Sequence, residues 1–142
     1  MSAALLARAA IGDLVHGYAR HIRDGQGAAA AALFGDEAVF EVRSVAEGTR
    51  GLSTVRARFE GRAALERYLV QGDAANAAVC PLIHNLMIEV DGDTASANSV
   101  MTTLVWPSGK QIVGEYHDRF HHDGTRWRFA SRVFTIFAPF SP

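Results

Sequence analysis

An α+β fold is predicted by two observations. Apolar residues in the first part of the chain recur at helical spacing, whereas from Cys80 onward they form long strand-like runs divided by turn signals. Helices first and strands afterwards place the helices on one face of a curved antiparallel sheet. The length of 142 residues matches one domain, burying about 70% of its unfolded surface. No repeat or linker divides residues 1–142, so a single domain is expected.

The elements follow in order. Met1 to Ala10 has no Lys/Arg-led apolar core of secretory type, and no run of about 18 apolar residues occurs anywhere, so no membrane association is expected. Ile11, Leu14, Val15, Tyr18, Ala19 and Ile22 make one face of an amphipathic helix ending near Asp24 and Gly25. A second helix is predicted over Gln26 to Phe34, where alanines favour the helix and Gly35 stops it. Ala38 to Val42 reads as a short strand, Arg43 to Glu60 as an irregular span, and Gly61 to Val70 as a helix with Leu65, Tyr68 and Leu69 facing inward. Beyond Cys80, the turn signals Asp91-Gly92-Asp93, Pro107-Ser108-Gly109 and Asp123-Gly124 separate four consecutive antiparallel strands.

Composition narrows the function. A formal charge of −1 without a basic cluster among aromatics argues against nucleic acid as a partner. Cys80 is the only cysteine, so no internal disulfide or cysteine-rich zinc site is possible, and a cytoplasmic location is expected. Cys80 also lacks a neighbouring histidine or helix start that would make it a nucleophile. His117 and His121 lie about 13 Å apart along a strand at ~3.3 Å per residue, and His122 faces the other way, so these histidines do not form a metal site. No phosphate loop, dinucleotide fingerprint or nucleophile elbow is present. Arg50, Arg56, Arg58 and Arg62 make the span from 43 to 62 basic, as a solvated face or as a lid over an anionic substrate.

The candidate site residues come from polar groups on apolar faces. With an unbroken two-residue period, His84 shares a face with Leu82, Leu86, Ile88 and Val90, opposite Asn85, Glu89 and Asp91, and should point inward. Such a histidine needs a polar partner, for structure or as a general base. Tyr116 and Asp118 share a face with Ile112, Gly114 and Phe120. Arg132 sits among apolar neighbours and requires a carboxylate or an anionic ligand, Asp118 being the nearest candidate. Apolar pockets with a few convergent polar groups are the usual form of small-molecule sites.

Several stretches carry a wider likeness: Ile11 to Arg20, Leu33-Phe34, Ala38-Val39-Phe40, Gly61 to Leu65, His84-Asn85, Val90 to Asp93, Gly114 to Phe120 and Trp127 to Ala130. Together they resemble a SnoaL-like domain of the nuclear transport factor two superfamily, from about Ile11 to Phe134. The resemblance implies a cone-shaped α+β barrel with helices on the concave face of its sheet, enclosing a pocket. The same cone serves scytalone dehydratase, hexachlorocyclohexane dehydrochlorinase and ketosteroid isomerase, so fold alone does not assign the reaction. In the dehydratase and dehydrochlorinase branch, a histidine at the position of His84 is the base and pairs with an aspartate near the end of the first helix. Arg23 stands at that aspartate position, which leaves Asp24 or Asp118 to orient His84.

The resemblance therefore implies a small-molecule enzyme, a lyase or isomerase without cofactor or metal, moving protons on a hydrophobic, cyclic substrate. His84 and Asp118 are the catalytic candidates. Tyr18, Arg23, Tyr116 and Arg132 would bind or polarise substrate, with Ile88, Met101 and Phe134 as apolar walls. The alternative is a non-catalytic ligand-binding or oligomerisation module, like a dioxygenase β-subunit. In either case the resemblance implies a homo-oligomer, dimer or trimer.

Overall fold

The computed structural model describes residues 2–45, 53–76 and 78–137. Helices α1 (Ala3–Arg23) and α2 (Gly27–Ala31) precede strands β1 (Phe34–Val45) and β2 (Thr54–Glu60). Helix α3 (Arg62–Asn76) then leads into β3 (Val79–Asp91), β4 (Thr94–Val105), β5 (Lys110–His122) and β6 (Trp127–Phe137). The six strands form one sheet in the order β2-β1-β6-β5-β4-β3. Neighbours are antiparallel except β1 and β6, which run parallel. Register shifts between Val42 and Arg43, between His84 and Met87 and between Arg119 and Phe120 mark bulges, which bend the sheet while leaving β2 and β3 as its free edges.

Helix α1 begins well before the periodic face read from the sequence, because the alanine- and leucine-rich segment from Ala3 is a good helix former. The Ser2 side chain caps it by accepting from the Leu5 N–H at 3.2 Å. The helix ends where the sequence predicts. Gly25 adopts φ 68, and the Gln26 N–H reaches back to the His21 carbonyl at 2.8 Å, closing a Schellman motif. Ile11, Val15 and Tyr18 are buried against the sheet. Beneath them, Phe34 stacks on Phe129 at 4.6 Å between ring centroids, and Phe129 lies 4.8 Å from Phe120.

Helix α2 ends earlier than predicted because the chain enters β1 at Phe34, where the Phe129 N–H donates to the Leu33 carbonyl, and the first residue of the helix is packed tightly on α3. The Gly27 N–H donates to Asp73 Oδ1 at 2.8 Å, and a Cβ at Gly27 would stand 2.5 Å from the Leu69 carbonyl carbon. Backbone therefore meets backbone at this contact, and Gly27→Ala must push the two helices apart. The variant is expected to lose about 1–3 kcal/mol, outweighing alanine's better helix propensity of about 1 kcal/mol. Thermal unfolding checks this; a variant as stable as the parent would show that the helices yield freely.

Strand β2 lies in the span read as irregular. Its apolar alternation, Val55, Ala57 and Phe59, is interleaved with Arg56, Arg58 and Glu60, and Ala57 and Phe59 pack against the core. The described arginines of this span, Arg43, Arg56, Arg58 and Arg62, are spent on ion pairs and hydrogen bonds. Arg43 and Arg58 both grip the buried Glu41 carboxylate, Arg58 at 2.8 Å. Burial opposes ionisation of Glu41, yet the two guanidiniums hold its carboxyl below the usual range. Arg56 donates to Ser44 and Arg62 pairs with Asp36. Arg50 lies outside the described residues. No helix among the described residues is long and apolar enough to cross a membrane.

Candidate functional site

The unbroken alternation read for β3 does not hold. Asn85 has φ 50, and His84 pairs with Val100 while Met87 pairs with Asn98, so the strand carries one extra residue. Parity switches there. Val79, Pro81 and Ile83 face the helices before the bulge, and Leu86, Ile88 and Val90 after it. His84 falls just before the switch and is exposed on the outer face, not directed inward. Among the described residues no hydrogen bond or ion pair joins it to Asp118 or Asp24. Arg23 also projects to solvent, half exposed, 3.9 Å from Asp24. Ile88 packs against the core without bordering the cavity.

Four of the expected residues do meet. Tyr18, Met101, Tyr116 and Phe134 line a cavity of about 440 Å³ between α1, α3 and the concave face of the sheet. Sequence reasoning missed the α3 side of this cavity, Tyr68 and Gln71, and Thr103 on β4. Of the three α3 residues whose spacing predicts an inward face, Leu65 and Leu69 are buried, while Tyr68 borders the cavity and remains 40% exposed. Its ring stacks on Phe59 of β2, the strand the sequence left unassigned, at 4.2 Å.

Tyr18 and Tyr116 meet edge to face at 6.3 Å, and Tyr116 leans on Phe134 at 4.9 Å. Phe134 has room there because Gly114 has no side chain; a Cβ on Gly114 would lie 2.9 Å from the Phe134 ring and 2.5 Å from the Thr135 carbonyl oxygen. Burial pushes both phenols well above the usual tyrosine range. The Arg132 guanidinium opposes that push, and Tyr18, Tyr68 and Tyr116 all line the same cavity. Burial thus favours the protonated, hydrogen-bond-donating form of Tyr18 and Tyr116.

Beneath the tyrosines lies the pair that the sequence suggested. Arg132 and Asp118 face each other across β6 and β5 and are joined twice, Nε to Oδ1 at 2.8 Å and Nη2 to Oδ2 at 3.2 Å. Neither side chain is solvent-accessible, and neither borders the cavity. The cavity wall formed by the described residues thus offers phenol, amide and hydroxyl groups, with no carboxylate, imidazole or amine. Such a wall can donate hydrogen bonds to a ligand oxygen. Among its described residues the phenols are the groups that can exchange a proton, and burial favours the protonated form of Tyr18 and Tyr116.

A family profile for the SnoaL-like domain matches residues 3–133. The chain belongs to the SnoaL-like family. Solved structures share its fold across almost the whole length. One is a protein of Novosphingobium aromaticivorans assigned as the β-subunit of an aromatic-ring-hydroxylating dioxygenase, with 25% identity, a TM-score of 0.79 and coverage of 97% of this chain and 94% of that one. Another, from the same organism and assigned as a scytalone dehydratase, has 20% identity and a TM-score of 0.67 over 93% and 85% of the two chains. LinA has 18% identity and a TM-score of 0.71 over 93% and 86%. No curated protein matches the chain. Members of this SnoaL-like fold thus include enzymes as well as a dioxygenase subunit, and the fold by itself selects neither role.

Proposed function

We propose that this SnoaL-like protein is a ligand-binding module for an uncharged, hydrophobic cyclic molecule bearing a hydroxyl or carbonyl oxygen. The observation that carries this reading is the cavity wall, apolar over most of its surface and polar through the phenols of Tyr18, Tyr68 and Tyr116 with Gln71 and Thr103. Its volume falls in the range of roughly 300–1,000 Å³ usual for small-molecule sites. An apolar ring system would be held by Ile22, Leu69, Met101, Phe134 and Ile136, with its oxygen turned to the tyrosines. A lyase or isomerase working through its own base would need that base at the cavity, and His84 faces away from it. The likeness to a dioxygenase β-subunit at 25% identity supports a role without base catalysis.

Titration with 2-naphthol, followed by its fluorescence, tests the reading. The parent protein should bind one equivalent. Met101→Trp, which fills the cavity from a residue only 3% exposed, should weaken binding at least about tenfold, equivalent to about 1.4 kcal/mol. His84→Ala should leave the affinity within about twofold, since that side chain lies outside the cavity. No binding by the parent, or equal binding by Met101→Trp, would sink the proposal.

A further inference from the structure

We infer that the buried Asp118–Arg132 pair is a positioning device that fixes the rings of Tyr18 and Tyr116 so that their hydroxyls meet the ligand oxygen together. The value of that positioning for recognition rests on the binding role proposed above. The geometry is specific. Asp118 takes two of the three guanidinium nitrogens, and Nη1 finds no hydrogen-bond partner among the described residues. What surrounds the cation is aromatic. Its central carbon lies 3.5 Å from the centroid of the Tyr116 ring, 4.5 Å from that of Tyr18 and 4.8 Å from that of Phe129. All three distances are within the ~6 Å at which a cation is drawn to a ring face.

Two elements that share no covalent constraint are joined in this way. Tyr18 comes from α1 and Tyr116 from β5, and a planar group fixed by its carboxylate fork touches both rings. A buried ion pair is weak evidence of stabilisation, because apolar side chains of similar volume often serve a core equally well. Here the fork also sets the orientation of the cation, and the cation sets the rings. Tyr68 is the internal contrast, since it lines the same cavity but rests on Phe59 instead of Arg132.

The chain has three tyrosines, so protein labelled with ¹³C at the tyrosine rings gives three resolvable sets of signals, assigned with Tyr18→Phe, Tyr68→Phe and Tyr116→Phe. Arg132→Met alone would strand a buried carboxylate, so the test uses Asp118→Leu/Arg132→Met, which keeps the volume and removes both charges. In this double variant the Tyr18 and Tyr116 signals should broaden or multiply while those of Tyr68 stay sharp. In parallel, affinities for 2-naphthol and naphthalene are compared. The parent should favour 2-naphthol about tenfold, as expected for one or two neutral hydrogen bonds, and the double variant should show almost no preference. A purely structural pair would weaken both probes equally. If the three tyrosines respond alike or not at all, or if the preference survives, the positioning role is wrong. If the parent binds neither probe, the binding reading fails, and the ring signals still decide whether the pair orders Tyr18 and Tyr116.

Discussion

Arg132→Ala is expected to destabilise the protein by about 3–5 kcal/mol, the usual consequence of leaving one member of a buried pair without its partner. That is a large part of the roughly 5–15 kcal/mol that holds an ordinary domain together. The loss should depend on pH, with a sign set by Asp118. Burial pushes this carboxyl above the usual carboxylate range, and the Arg132 guanidinium pulls against it. Without the guanidinium only the upward push remains. A carboxyl whose folded value exceeds its unfolded value takes up a proton on folding, so its cost appears as pH rises through the unfolded carboxylate range. Urea unfolding should therefore show a greater deficit at about pH 8 than at about pH 5, because protonation relieves the stranded charge. An equal deficit at both values would mean that Asp118 is not the source of the loss. A deficit below about 1 kcal/mol would mean that water replaces the guanidinium at no great cost.

The same buried pair was among the features that the sequence revealed best, and the reason is geometrical. Strand β5 keeps an unbroken alternation from Ile112 to Asp118, so Tyr116 and Asp118 could be put on the apolar face by counting in twos. On β6 the apolar set changes parity between Phe129 and Arg132. The sequence shows this as weak alternation; the structure shows it as a bulge in which Arg119 pairs with Ser131 and Phe120 with Phe129, leaving Ala130 exposed as the extra residue. A parity change can be seen there because the residues between are small or polar. On β3 it is hidden. Leu82 on one parity and Ile83 on the other are both apolar, so counting backwards from Leu86, Ile88 and Val90 carries His84 inward without contradiction. The place of Tyr68 in the cavity wall, and the strand β2 behind it, escaped for another reason. The apolar positions of α3 and β2 are interleaved with arginines, and only the chain's return along β1 brings Phe59 beneath Tyr68.

Deleting Asn85 is expected to cost about 3 kcal/mol, because the residue is what lets both halves of β3 face the core. Without it one half must turn over. Either Val79, Pro81 and Ile83 leave the concave face, or Leu86, Ile88 and Val90 do. Full burial of such a side chain is worth about 1.5–3 kcal/mol, and these are only partly buried, so three of them together supply the stated loss. The conformation at Asn85 makes a second, smaller prediction. At φ 50 a β-branched residue clashes with its own backbone, so Asn85→Val should lose roughly 1–2 kcal/mol, whereas Asn85→Gly should stay within about 0.5 kcal/mol of the parent. Urea unfolding of the three variants gives the order directly, with the deletion the least stable and glycine near the parent. The histidine supplies an independent reading of the register, because His84 is open to modification by diethyl pyrocarbonate in the parent fold. If the deletion turns the first half of β3 over, His84 moves onto the helix-covered face and its reactivity falls. If the second half turns over, its reactivity remains and the lost stability comes from Leu86, Ile88 and Val90. A deletion as stable as the parent, or valine tolerated as well as glycine, would mean that the bulge does not set the direction of these side chains. The outward position of His84 would then need another cause.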